Sequence, residues 1–213
     1  MTTTRRRAIA VLSALTLAAG WHTNVHAAAH NSAEPAPAPV ATPMPEGYVP
    51  TVLVTGANRG IGLELTRQYA ARGWKVIGTA RKPAEAKELN ALAAASDGKV
   101  VDILFNNAGV TGGGENQQFA KNMKWELFDV VYRTNVVGPL KMAEAFLPHL
   151  QAGYQKKISN VSSSQGSIGS TKTGTLYIYR SSKAALNMVM KNLANQMKSK
   201  SIAVALIDPG PVD

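Results

Sequence analysis

Tyr179 and Lys183 stand four residues apart in YIYRSSKAALN, and such a pair can move a proton. On a helix the two side chains share one face, one turn apart. The helix is plain in the spacing of Leu186, Val189, Met190, Leu193 and Met197. A free tyrosine titrates near ~10, so at neutral pH it is a reluctant shuttle. A neighbouring ammonium favours the phenolate, lowers that value and suits general acid–base work. Tyr177 is the rival, but its fourth neighbour is Ser181 and not lysine. Ser162, Ser163 and Ser164 follow the strand-like run KISNV. Neighbours at a strand end face opposite ways, so the three hydroxyls do not serve one site equally.

A second chemistry lies upstream, in TVLVTGANRGIGLEL from Thr51 to Leu65. Val52, Leu53, Val54 and Thr55 read as a buried strand. Ile61, Leu65 and Tyr69 then recur at helical spacing. A helix start offers free N–H groups and a positive dipole end, which suits a pyrophosphate. Gly56 permits the tight turn, Gly60 lets the backbone approach the phosphates, and Gly62 lets the helix lie close on the strand. The spacing is Gly-x-x-x-Gly-x-Gly and not the commoner Gly-x-Gly-x-x-Gly.

The elements that position these residues follow in order. Gly73 ends the first helix, and Lys75 to Thr79 reads as the second strand. After such a strand an acidic residue favours NAD, whereas arginine accommodates a 2′-phosphate. Here stand Ala80, Arg81 and Lys82, with Arg59 inside the glycine turn, so NADP is expected. Pro83 opens a helix whose apolar side is Leu89 and Leu92. Val101 to Phe105 forms another buried strand running into Asn106, Asn107, Ala108 and Gly109. The spacing of Trp125, Phe128 and Tyr132 predicts a core face; Leu140, Phe146 and Leu147 predict a packed helix closed by Pro148.

The chain has 213 residues, room for one domain. It carries no cysteine, which excludes disulfides and thiolate metal sites; no metal centre is expected. Residues 1–27 read as a secretory signal peptide: Arg5 to Arg7, an apolar run from Ala8 to Gly20, and a cleavage site at Val25-His26-Ala27. The run is too short for a membrane span of ~20 residues. Export to the periplasm or medium is the expectation, with a cytoplasmic protein or an uncleaved anchor as alternatives. Residues 28–48, rich in proline and alanine, read as an extended linker, and the folded domain as 49–213. Net charge is +10, but without Arg5 to Arg7 the balance is 20 basic against 13 acidic residues. The cations are scattered, with no patterned stripe or aromatic platform, so no nucleic-acid partner is expected.

Taken together, TGANRGIG, NNAG, Asn135 after WELFDVVYRT, the serine run, Tyr-x-x-x-Lys and Asp208-Pro209-Gly210-Pro211-Val212 occur in one order. That order resembles the short-chain dehydrogenase/reductase family, in a branch with carbonyl reductases and a bacterial developmental signal. The resemblance implies a single doubly wound, Rossmann-type parallel α/β sheet. It implies an NADP-dependent oxidoreductase interconverting a small-molecule carbonyl and alcohol. Asn135, Ser163, Tyr179 and Lys183 would be catalytic: Tyr179 gives the proton, Ser163 (three before Gly166) binds the carbonyl oxygen, Lys183 also holds the nicotinamide ribose, and Asn135 supports a water relay. Gly56, Asn58, Arg59, Gly60, Ile61, Gly62, Arg81, Asn107, Ala108, Gly109, Tyr179, Lys183, Pro209, Gly210 and Val212 would bind cofactor. The family often dimerises through the helix after Asn135 and the helix of Tyr179.

The family's usual third strand and its last strand have no counterpart in this sequence. Both are edge strands of the order 3-2-1-4-5-6-7, so a core of 2-1-4-5-6 is expected to survive. The second helix would then cross toward the NNAG strand, and right-handed crossover would move it to the other sheet face. The shortening also admits an alternative: a weakly active or inactive dinucleotide-binding signal or sensor of the same fold.

Overall fold

TVLV, KVIG, ILFN, KISNV and AVALI are short apolar or β-branched runs, and each forms a strand. They are β1 (Thr51–Val54), β2 (Lys75–Gly78), β3 (Ile103–Asn106), β4 (Lys157–Val161) and β5 (Ala203–Ile207). The computed structural model describes residues 43–92, 100–114 and 118–211. All strands pair in parallel, in the order β2-β1-β3-β4-β5. This is the five-strand core anticipated from the sequence. Among the described residues no strand intervenes along the chain between β2 and β3.

Parallel strands need crossover segments, which cover the faces with helices. The helices are α1 (Gly60–Ala71), α2 (Lys87–Leu92), α3 (Glu126–Tyr132), α4 (Gly138–Ala152) and α5 (Tyr177–Met197), with a π-helical turn at Arg133–Val137 joining α3 to α4. Strand alternation sorts the core in two. Val52, Val54, Ile103 and Phe105 meet Leu65 of α1 and Leu89 of α2. Leu53, Leu104 and Ile158 lie under Leu150 of α4 and Leu186 and Met190 of α5.

Three expectations are corrected. The second helix does not change faces. Leu89 seats α2 beside α1, over Gly78, where an added Cβ would lie 2.5 Å from Leu89 Cδ1, and Glu88 pairs with Arg67 of α1. Trp125 and Phe128 are not core: they are 70% and 39% exposed. Phe128 stacks on Tyr132 at 4.3 Å, so the aromatics contact one another along the surface. Pro148 does not close its helix, which runs on to Ala152, and Leu140 of that helix is exposed.

At the N-terminal ends of the strands Asp102 is fully buried. It accepts hydrogen bonds from Thr51 N, Tyr48 Oη and Tyr154 N, each at 2.8 Å. Burial and this carboxylate push the Tyr48 phenol well above its usual value. Tyr48, the last residue of the expected linker, is thereby tied to the domain. The leader, and the linker as far as residue 42, lie outside the described residues. Among the described residues no helix is long and apolar enough to cross a membrane.

Candidate active site

The C-terminal ends of β1 and β3 are joined by side chains. Thr55 Oγ1 accepts from Asn107 N at 3.0 Å and Ala108 N at 3.1 Å. Asn107 Nδ2 donates to Thr55 O at 3.0 Å and Gly56 O at 3.2 Å. The glycine turn leaves β1 here, with Gly56 at φ 65° and Gly60 at φ 54°. Gly62 is required by space: a Cβ there would overlap Gly56 O and lie 2.5 Å from Asn107 Nδ2. Ala57 N donates to Thr79 O at 2.8 Å, which brings the end of β2, and so Arg81, against the turn.

The start of α1 is open. Arg59 stands at its N-cap in extended backbone, no side chain caps it, and its first turn holds no acid. The first N–H groups of a helix have no intrahelical acceptor, so those of Gly60, Ile61 and Gly62 face outward with the positive dipole end. Asn58, Arg59, Gly60 and Arg81 are exposed. Among the described residues neither arginine forms an ion pair, whereas Lys82 is held by Glu85 at 2.9 Å. An open helix start, a cradle that a Cβ would fill, and unpaired arginines fit the phosphates of a dinucleotide.

A second group gathers at the ends of β3 and β4. The π-helical turn after α3 turns Asn135 inward, where it is 1% exposed. Such turns widen a helix locally and re-aim side chains. Asn135 Nδ2 donates to Val110 O at 2.8 Å and Ser182 Oγ at 3.0 Å, and its Oδ1 accepts from Val110 N at 2.9 Å. Ser182 Oγ in turn donates to Tyr179 O at 2.7 Å. A Cβ on Gly109 would lie 3.5 Å from Asn135 Oδ1 and 3.7 Å from Lys183 Nζ, so the NNAG loop and the Asn135 and Lys183 side chains converge.

Tyr179 is half-buried near the start of α5. Lys183 Nζ lies 5.7 Å from the Tyr179 ring centroid. Burial pushes Lys183 down to about 8, against the opposing pull of the Asp208 carboxylate. The serines differ. Ser162 is buried and donates to Asn187 Oδ1 at 2.6 Å. Ser164 is exposed. Ser163 is half-buried and caps the turn Ser164–Gly166, accepting from Gln165 N at 3.2 Å. That turn closes on α5: a Cβ on Gly166 would lie 2.9 Å from Lys183 Cβ.

Pro209 and Gly210 follow β5 in a loop where Gly210 N donates to Asp208 Oδ1 at 3.1 Å. Val212 lies outside the described residues. Thr55 and Ser182 bind the site together yet carried no separate sequence signal, being contained in the TGANRGIG and YRSSK runs. Gln118 carried none at all.

The family model described as short chain dehydrogenase matches residues 50–100 and 91–213. An uncharacterized oxidoreductase of Schizosaccharomyces pombe is 30% identical over 187 residues, spanning 76% of this chain and 72% of its own length. The C-signal of Myxococcus xanthus is 36% identical over 117 residues, 52% of this chain and 64% of its own. The crystal structure of an NADPH-bound carbonyl reductase from chicken fatty liver aligns with a TM-score of 0.67 at 30% identity, covering 76% of this chain and 79% of that one.

Proposed function

The chain belongs to the short-chain dehydrogenase/reductase family, and from that premise we propose that it interconverts a carbonyl and an alcohol using NADP(H). The observation that carries this reading is the convergence of Gly109, Asn135 and Lys183 beside Tyr179. Gly56, Asn58, Gly60, Ile61 and Gly62 hold the pyrophosphate, and Arg59 and Arg81 meet the 2′-phosphate. Asn107, Ala108, Gly109, Pro209 and Gly210 complete the cofactor site. Bound there, the dinucleotide supplies or takes the hydride.

The chain's own groups handle the oxygen and its proton. Tyr179 donates a proton to the carbonyl oxygen, and Ser163 donates a hydrogen bond to it. Lys183 keeps an ammonium near the phenol and grips the ribose. Asn135 anchors Val110 and Ser182 and supports a water relay. The test is NADPH oxidation by the purified chain across a panel of aldehydes and ketones. Turnover of at least one carbonyl is expected. Binding of NADPH with no turnover of any would instead make the chain a dinucleotide-binding sensor.

Phe128, Val137 and Leu140 of the α3–α4 arm and Met188 of α5 are exposed apolar residues, and we propose that they contact a second copy of the chain in a homodimer. Light scattering should give twice the chain mass, and Met188→Glu should give the monomer; a monomeric parent would remove the assignment. Arg5 to Arg7 and the apolar run after them support export. A reporter fused after Ala27 should leave the cytoplasm, and its retention would overturn this.

A further inference from the structure

Gln118 is fully buried, at 0% exposure, although it belongs to no strand or helix. Its Nε2 donates to Thr111 O at 2.8 Å and to Gly112 O and Gly113 O at 3.4 Å. Its Oε1 accepts from Tyr179 N at 3.0 Å, and its own carbonyl accepts from Tyr177 N at 3.3 Å.

Helix α5 needs those acceptors. The N–H groups of a first turn have no partner inside the helix, and a Ser, Thr, Asp or Asn at the N-cap ordinarily supplies one. Here Leu176 holds that place, with no polar side chain and in left-handed backbone at φ 56° and ψ 39°. The conformation is disfavoured for leucine and persists only where surroundings fix it. The intrahelical ladder begins at Arg180 N, which donates to Leu176 O at 2.8 Å. Tyr177 and Tyr179, just ahead of it, are served by Gln118 from outside.

The other end of Gln118 is equally fixed. Gly112 sits at φ 78°, and a Cβ there would lie 2.5 Å from Val131 Cγ2, so the loop it belongs to lies hard against α3. The same loop begins at Val110, which Asn135 clasps. Both backbone polar groups of Tyr179 are thus held: the carbonyl accepts from Ser182 Oγ, which itself accepts from Asn135 Nδ2, and the N–H donates to Gln118 Oε1.

We propose that Gln118 is a positioning residue for Tyr179, the external cap of α5 that sets the tyrosine against Lys183 and ties it to the 110–113 loop. The proposal rests on the oxidoreductase reading for its catalytic consequence and on geometry alone for the cap. Gln118→Met keeps the length and loses donor and acceptor together. Gln118→Glu, when protonated, can still donate to Thr111 O and accept from Tyr179 N.

The experiment compares parent and both variants in NADPH titration, in kcat and KM across pH, and in amide hydrogen exchange. For Gln118→Met, kcat should fall about 10- to 100-fold, as for a small misplacement of a reacting group, with NADPH affinity and carbonyl KM unchanged. Exchange at Tyr179 N should quicken on the order of ten-fold, by loss of one hydrogen bond, with later turns of α5 unaffected. For Gln118→Glu, kcat should approach the parental value as falling pH protonates the carboxyl.

Parental kcat and pH profile in Gln118→Met would overturn the proposal. So would kcat and cofactor affinity falling together in both variants, which marks a residue that only holds the fold. Should Gln118→Met not fold, the pH dependence of Gln118→Glu decides in its place. A parent inactive on every carbonyl would sink the oxidoreductase reading and leave the cap to exchange alone. Retained protection of Tyr179 N in Gln118→Met would then refute it, and a loss confined to that turn would uphold it.

Discussion

Lys183 Nζ donates to the carbonyl oxygen of Val161 at 2.8 Å. Val161 is the last residue of β4, one step before the serine run, so this bond joins the helix of Tyr179 to the strand end that carries Ser163. It also satisfies one donor of an ammonium that is only 5% exposed. Lys183 is therefore fixed in place before any ligand arrives, and its charge is held at a desolvation cost.

That cost has a pH signature. Lys183 titrates near 8 in the folded chain against 10.5 for an unperturbed lysine. Between those values the unfolded state binds more protons, so this residue makes stability rise with pH through that window. The difference in unfolding free energy between parent and Lys183→Met should change in the parent's favour from about pH 8 to about pH 10. Tyr48, raised in the fold, acts in the opposite sense above its ordinary ~10 but cancels in the difference. Urea unfolding at several pH values measures this; a flat difference would mean an ordinary lysine.

Gly62 and Gly60 should respond differently to alanine. At Gly62 the new Cβ meets Gly56 O and Asn107 Nδ2, an overpacking that costs about 1–3 kcal/mol. Thermal melts should show this without ligand. At Gly60 a Cβ meets no atom within 4 Å, so only the positive φ is strained, by about 1–2 kcal/mol. Its larger effect should be on NADPH affinity, because the added methyl stands where phosphate approaches. Undiminished affinity in Gly60→Ala would refute the backbone-approach argument.

Arg59 and Arg81 should set the cofactor preference. Two exposed cations without carboxylate partners among the described residues should favour NADPH over NADH by about 1–3 kcal/mol, the scale of a charge-assisted hydrogen bond. Arg81→Ala should narrow that gap, chiefly by weakening NADPH. Titrations showing equal affinity of the parent for both cofactors would contradict the assignment.

The individual strands, the glycine turn and the helix of Tyr179 were legible because each is written in contiguous residues, whereas the strand order followed from the family resemblance. Leu186, Met190, Leu193 and Met197 recur at helical spacing and are indeed buried. What depended on a single distant contact was not legible. Helix α2 stays beside α1 because Leu89 fills the space that Gly78 leaves open. Trp125 and Phe128 have core-like spacing, but spacing defines a face without saying what it meets. The buried side of this arm is Val131, Asn135 and Val136, and the π-helical turn shifts the register midway. Gln118 is one residue with no period, and only the fold shows what it bonds.

Enzyme and binder are separated by the Ser-Tyr-Lys set. Tyr179→Phe removes one oxygen and leaves the ring, while Lys183 and the glycine turn are untouched, so NADPH affinity should hardly move. Carbonyl-dependent NADPH oxidation should fall by roughly 10²–10⁴-fold, the usual worth of a general acid. The serines then report on which hydroxyl serves the reacting oxygen. Ser162→Ala leaves the Asn187 Oδ1 acceptor without its 2.6 Å donor and should cost about 1–3 kcal/mol of stability, with little change in kcat. Ser164→Ala, at an exposed position, should change neither. Ser163→Ala should lower kcat while melting like the parent apart from its cap on the Ser164–Gly166 turn. A full rate in Tyr179→Phe would overturn the acid–base assignment, and a larger kcat loss in Ser162→Ala than in Ser163→Ala would move the carbonyl contact to the neighbouring hydroxyl.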